Sequence, residues 1–246
     1  MLMRTLTLVY GAVAYLVFLF TFLYLIGFVG HLGVGKHLAS GPAAPFDLAL
    51  VVNALLLALF GAQHSVMARP GFKAWWTRFV PPAAERSTYV LLASVLLLLL
   101  FWAWQPMPTV LWSVEAPAGR AALWTLFALG WALVLVSSFL IDHFDLFGLR
   151  QVWLHLQGKP RTPAKSQLTW LYGRVRHPLM LGFLIAFWAV PTVTEGHLLF
   201  AAGMTAYIVV GIRSEERDLA RHFGKTYADY RKRAGMLWPR WRPPSR

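Results

Sequence analysis

Two histidines in this chain stand where an imidazole could do chemistry. His64 lies in Gln63-His64-Ser65, and His143 opens Asp142-His143-Phe144-Asp145-Leu146-Phe147-Gly148-Leu149-Arg150-Gln151. An imidazole titrates near neutrality and can take or give a proton there. The first stretch closes an apolar run, so it reads either as a helix end meeting headgroups or as a proton-handling group facing a cavity. The second places Asp142, His143, Asp145 and Arg150 among Phe and Leu residues. That mixture suits a re-entrant or interfacial segment, and an ordinary basic loop gives little reason for two acids among aromatics.

Two further clusters carry charge. Tyr172-Gly173-Arg174-Val175-Arg176-His177-Pro178 leads into Leu179-Met180-Leu181-Gly182. Pro178 suits the first turn of a helix, where its missing N–H is no loss, and it pushes His177 toward an extended conformation. The free N–H groups of such a helix start attract an anion, with Arg176 alongside. Gly182, one turn further in, allows a ligand or another helix to approach the backbone. The fourth cluster is Arg213-Ser214-Glu215-Glu216-Arg217-Asp218, followed by Phe223-Gly224-Lys225-Thr226-Tyr227-Ala228-Asp229-Tyr230. Adjacent glutamates among arginines commonly form a solvated helix face. Brought beside Arg176-His177, they would instead match a zwitterionic ligand bearing a carboxylate and hydroxyls.

The elements that must position these groups are apolar. At 58% hydrophobic and 13% charged residues, the chain departs from the balance of a soluble domain. Six apolar runs appear: 6–29, 48–62, 89–104, 121–141, 179–193 and 198–212. About 20 residues cross ~30 Å of hydrocarbon. The last two runs are short, near 15 residues each, and only Thr194-Glu195-Gly196-His197 joins them, which predicts an antiparallel helical hairpin. The first run is too long for a signal-peptide core and reads as a retained span. The expected fold class is all-α, a polytopic transmembrane helical bundle of five to six spans. It is one membrane domain over 1–246, with four N-terminal spans in 1–141, an interfacial segment at 142–178 and a C-terminal hairpin and tail at 179–246.

The net charge of +13 reports topology rather than nucleic acid. Placed on six spans, 21 of the 23 Lys and Arg fall on one side, leaving only Lys36 and Arg120 on the other. The positive-inside rule then puts both termini in the cytoplasm, in what reads as a bacterial inner membrane. The chain has no cysteine, which excludes disulfides, thiolate metal sites and cysteine nucleophiles. No metal site is expected.

The ordered set Arg176-His177-Pro178, Gly182, a short hairpin, Glu215-Glu216, Phe223-Gly224, Tyr227, Tyr230 and Pro239 resembles the C-terminal signature of the isoprenylcysteine carboxyl methyltransferase superfamily. Gln63-His64-Ser65 and the 142–151 stretch resemble its nurim-like group, which includes bacterial enzymes that methylate methanethiol to dimethyl sulfide. The resemblance implies an S-adenosylmethionine-dependent membrane methyltransferase. By carry-over, Tyr172, Arg176, His177, Pro178, Gly182, Arg213, Glu215, Glu216, Tyr227 and Tyr230 would hold the donor. Many members carry Tyr where this chain has Met180, so that hydroxyl contact is missing here.

For a thiol acceptor the thiolate is the effective nucleophile, and the site should offer a base or local positive charge. His64 and His143 are the candidate bases, Asp145 or Asp142 could orient an imidazole, and Arg150 could favour the thiolate. A small apolar thiol needs little polar recognition and can arrive through the lipid bilayer. Other acceptors stay open: a prenylcysteine carboxylate, another thiol or a selenol. So does a non-catalytic nurim-like membrane protein. The topology has a direct check: a reporter that is active only in the cytoplasm should be active when fused to the C-terminus. Activity from an export-only reporter would reverse the orientation.

Overall fold

The computed structural model describes residues 1–162 and 171–240. Part of the 142–178 segment and the last six residues, including Lys165, Arg242 and Arg246 of the charge count, lie outside the described residues. In chain order the elements are α1 (Leu2–Gly30), α2 (Phe46–Met67), α3 (Pro70–Trp76), α4 (Glu85–Ala103), β1 (Val110–Ser113), α5 (Pro117–Ile141), α6 (His143–Leu146), α7 (Leu149–Leu156), α8 (Pro178–Trp188), β2 (Thr192–Thr194), α9 (Glu195–Phe223) and α10 (Lys225–Arg233). Strands β1 and β2 form one two-stranded sheet. Among the described residues five helices, α1, α2, α4, α5 and α9, are long and apolar enough to cross a membrane. The protein is an all-α polytopic bundle.

The two last apolar runs differ from the equal hairpin expected. Helix α8 has only 11 residues, about 16 Å at 1.5 Å each, whereas α9 has 29. Its apolar half continues without a break into the charged 213–223 stretch.

Contacts group the chain into two compact units. The first comprises Met1–Trp112, Asp142–Lys165 and Val193–Phe200. There α1 packs on α4 and α7, and α2 packs on α4. Phe28 sits 4.7 Å from Phe101 and edge-on to Trp104 and Phe200, between ring centroids. Asn53, fully buried inside α2, is satisfied by the chain leaving α4. Its amide donates to the Gln105 carbonyl and its oxygen accepts from the Gln105 N–H, both at 2.8 Å. A buried amide without these partners would lose its hydration uncompensated.

The second unit comprises Ser113–Ile141, Ser166–Thr192 and Ala201–Arg246. Helices α5 and α8 pack against each other. At one end the Val114 N–H donates to the Pro191 carbonyl, and at the other the Tyr172 hydroxyl donates to the Ser137 carbonyl. The two helices therefore run antiparallel. Their crossing is set by Gly130 and Gly182. A Cβ on Gly182 would stand 2.7 Å from the Gly130 carbonyl oxygen and 2.9 Å from the Val134 nitrogen. Gly182→Leu should lower stability by roughly the 1–3 kcal/mol of an overpacked core, read as thermal unfolding in detergent. Gly211→Ala, where a Cβ meets nothing within 4 Å, should leave the midpoint unchanged. A parental midpoint for Gly182→Leu would rule out the close crossing.

Candidate functional site

In the second unit the charged groups converge on one carboxylate. Glu216 Oε1 accepts from Arg176 Nε at 2.7 Å and pairs with its Nη2 at 2.6 Å. The same oxygen lies 3.2 Å from His177 Nε2, and Oε2 lies 3.7 Å from Arg231 Nε. Arg176 and Glu216 are only 6% and 12% exposed, so the pair is held largely out of water. A third contact fixes the guanidinium, which donates to the Ala234 carbonyl.

Local backbone chemistry places these side chains. Val175 and Gly235 form a parallel bridge. The Arg176 N–H donates to the Gly235 carbonyl at 2.8 Å, the His177 N–H to the Met236 carbonyl at 3.1 Å, and the Gly235 N–H to the Arg174 carbonyl at 3.0 Å. Only glycine fits at 235, because a Cβ there would lie 1.8 Å from the Trp238 carbonyl oxygen. Pro178 occupies the first turn of α8, and His177 before it takes φ −125°. Its ring caps no helix N–H and turns to Glu216 instead.

Around this hub the tyrosines differ in role. Tyr230 donates to the Tyr172 carbonyl at 2.6 Å, tying α10 to the segment before α8. Tyr227 is buried, and its hydroxyl has no partner among the described residues. Burial first, then the nearby Glu216 charge, pushes its pKa up to about 12. Burial likewise raises Tyr172 and Tyr230, so all three remain protonated donors near neutrality. Glu215 is 54% exposed and lies 3.8 Å from His177 Nδ1 of the hub. Arg213 is exposed on α9, with no hydrogen bond or ion pair to it among the described residues. Beside the hub lies a cavity of about 300 Å³, lined by Arg176, Ala228, Arg231, Lys232 and Arg240. Gly182 does not contribute to it in any described contact, since its close-approach face is taken by α5.

In the first unit, Asp142 caps α6 by accepting from the Asp145 N–H at 3.1 Å, with φ at +132°. Such a conformation is costly for a residue with a side chain. Arg150 bridges to Asp145 at 3.2 Å and Asp142 at 3.8 Å, and donates to the Thr162 hydroxyl at 2.6 Å. Arg161 adds a contact to Asp145 at 3.8 Å. Both carboxylates thus engage Arg150, and the Asp142 charge also acts on the His143 ring. What holds His143 is the Tyr15 hydroxyl, 2.8 Å from Nε2, with Phe147 edge-on to the ring at 4.8 Å. Burial lowers the His143 pKa, with the Asp142 charge opposing. His64 lies in the last turn of α2, its ring 4.9 Å from that of Tyr89, whose hydroxyl donates to the His64 carbonyl at 3.3 Å.

The family model described as NnrU protein matches residues 52–241. The chain belongs to the NnrU family. Methanethiol S-methyltransferase from Mycobacterium tuberculosis (strain ATCC 25618 / H37Rv) is 60% identical over 236 residues, covering 96% of this chain and 97% of its own. Methanethiol S-methyltransferase 1 from Bradyrhizobium diazoefficiens is 55% identical over 233 residues, covering 95% of this chain and 81% of its own. Nurim from Sus scrofa is 33% identical over 174 residues, 67% of this chain and 65% of its own. No solved structure matches. The nurim-like resemblance read from the sequence is thus met across the NnrU-family chain and beyond its C-terminal signature.

Three participants escaped the sequence reading. Arg231 was one charge in a basic tail, the Ala234 carbonyl has no side-chain signal, and Tyr15 lies inside an apolar run. Only a polar residue on the inward face of that run pointed to Tyr15. The hub predicts unequal glutamates. Glu216→Ala leaves Arg176 buried without its partner and should cost roughly 3–5 kcal/mol of stability. Glu215→Ala, half exposed, should stay within about 0.5 kcal/mol of the parent. Equal thermal midpoints for the two variants would dismiss the hub.

Proposed function

We propose that this chain is an integral membrane S-adenosylmethionine-dependent thiol S-methyltransferase that converts methanethiol to dimethyl sulfide. The observation that carries this reading is 60% identity across nearly the whole of both chains with a methanethiol S-methyltransferase. The second unit supports the donor assignment by its chemistry. A ligand bearing a carboxylate, an ammonium and ribose hydroxyls needs cations, a carboxylate and spare hydrogen-bonding groups. The cavity offers Arg231, Lys232 and Arg240, the hub offers the half-exposed Glu215, and Tyr227 holds a buried hydroxyl without a partner. The residues present therefore fit the group.

When bound, S-adenosylmethionine supplies an electrophilic methyl group and is released as S-adenosylhomocysteine. The roles of the protein follow from its residues. Arg231 and Lys232 hold the donor carboxylate as charge-assisted partners. Glu215 accepts from the ammonium or the ribose hydroxyls. Glu216, saturated by Arg176 and His177, positions rather than binds. His143 takes the thiol proton, so that the sulfur reacts as thiolate. Burial lowers the pKa of the ring and so favours its neutral form. Arg150, paired with Asp142 and Asp145, serves to fix α6 against α7.

The basic excess supports both termini lying on the cytoplasmic side of a bacterial inner membrane. Methanethiol itself needs no ion pair for recognition and partitions through the bilayer.

Purified protein given methanethiol and S-adenosylmethionine should release dimethyl sulfide, measured by headspace gas chromatography. No dimethyl sulfide from protein that still binds donor would remove methanethiol as the acceptor. His143→Ala should lose about 10²–10⁴-fold in turnover at neutral pH and regain rate as the pH approaches the thiol's own pKa. A base whose pKa is lowered stays unprotonated further into acid. The acidic limb of the parental profile should therefore fall below about 6.5, the value of an unperturbed histidine. A pH-independent loss in His143→Ala would assign the ring a structural role.

A further inference from the structure

The proposed chemistry leaves a second cavity unused. It measures about 530 Å³ and is lined by Ser65, Val66, Arg69, Phe72 and Trp75, where α2 ends and α3 begins. Its size falls within the roughly 300–1,000 Å³ of small-ligand sites. One side offers a hydroxyl and a guanidinium, and the rest is apolar and aromatic.

The surroundings are strongly positive. Residues 69–86 carry Arg69, Lys73, Arg78 and Arg86 against a single acid, Glu85, which is buried. Arg86 is engaged inward, donating to the Leu146 carbonyl at 2.7 Å and lying over the Tyr89 ring. Arg69 and Arg78 are exposed. Burial lowers the Lys73 pKa; Glu85 opposes this, and the positive charges of Arg86 and Arg161 add to it. Beside these cations runs an aromatic wall. The Trp75 ring lies 5.4 Å from Phe72, 5.8 Å from Trp76 and 5.5 Å from Phe79. Trp75 and Phe79 remain 47% and 69% exposed.

Aromatic rings beside cations at the end of a spanning helix match the membrane interface, where rings sit at headgroup depth and Lys and Arg attract anionic lipid. We propose that this cavity binds one anionic phospholipid. Its phosphate is held by Arg69 and Ser65 within the field of Lys73, and its acyl chains lie along Phe72 and Trp75. A zwitterionic lipid offers the same chains, but its ammonium group would face the same cations, so the site discriminates by headgroup charge.

The test uses the full chain in nanodiscs of phosphatidylcholine, alone or mixed with phosphatidylglycerol, followed by native mass spectrometry of the retained lipid. The parent should retain phosphatidylglycerol several-fold over phosphatidylcholine, at one lipid per chain, and should melt higher in the mixture. Arg69→Gln with Lys73→Gln should lose that preference while melting like the parent in phosphatidylcholine alone; Arg69→Gln by itself should weaken it. Neutralising Arg217 and Arg221, exposed on α9, should leave it intact. Equal retention of the two lipids by the parent overturns the proposal. So does a preference that survives in the Arg69 variants, or one lost equally when Arg217 and Arg221 are changed, which would report general surface attraction.

Discussion

Burying an ion pair carries a desolvation penalty that the attraction repays only when geometry is good and the remaining hydrogen-bonding capacity is used. The Arg176–Glu216 pair meets both conditions. Arg176 makes two contacts to one carboxylate oxygen and a third to the Ala234 carbonyl, and Glu216 is shared with His177 and Arg231. The two residues are separated in sequence by the whole of α8, β2 and the apolar half of α9. The pair therefore requires the chain to go out along α8 and return along α9. It also requires the tail to fold back, because Ala234 and Gly235 bond to the Arg174–His177 segment. The cavity lined by Arg231, Lys232 and Arg240 exists because of that return.

The two polar clusters are built differently. The second unit concentrates charge, suited to a ligand that is itself charged at several points. The first sets His143 among Tyr15, Phe144 and Phe147, where burial lowers the pKa of the imidazole. Asp142 and Asp145 pair with Arg150 nearby and hold the α6–α7 corner, and the Asp142 charge opposes the effect of burial on the imidazole.

Much of this was legible in the sequence, for identifiable reasons. Long apolar runs report spans because backbone polar groups in lipid must be satisfied within the segment. Arg176-His177-Pro178 announced a helix start because proline fixes both its own φ and its neighbour's conformation. Other features depend on tertiary contact and left no local mark. The length of α8 was overestimated because apolar character continues past Trp188 although the helix does not. Gly182 was equally consistent with a ligand or a helix neighbour until Gly130 stood opposite it. Asp145 seemed placed to orient His143 by proximity in sequence, but a four-residue helix turns it toward Arg150. Glu215 and Glu216 differ by one position, and only the helical rotation between them decides which is buried.

The central claim is that the fold around Glu216 assembles a site for the methyl donor. The most direct measurement is calorimetric titration of the detergent-purified chain with S-adenosylhomocysteine. The account predicts saturable binding at a single site, weakened in Glu215→Ala although that variant melts like the parent. Absence of binding by the folded parent, or parental affinity in Glu215→Ala and in an Arg231→Gln, Lys232→Gln variant alike, would contradict it.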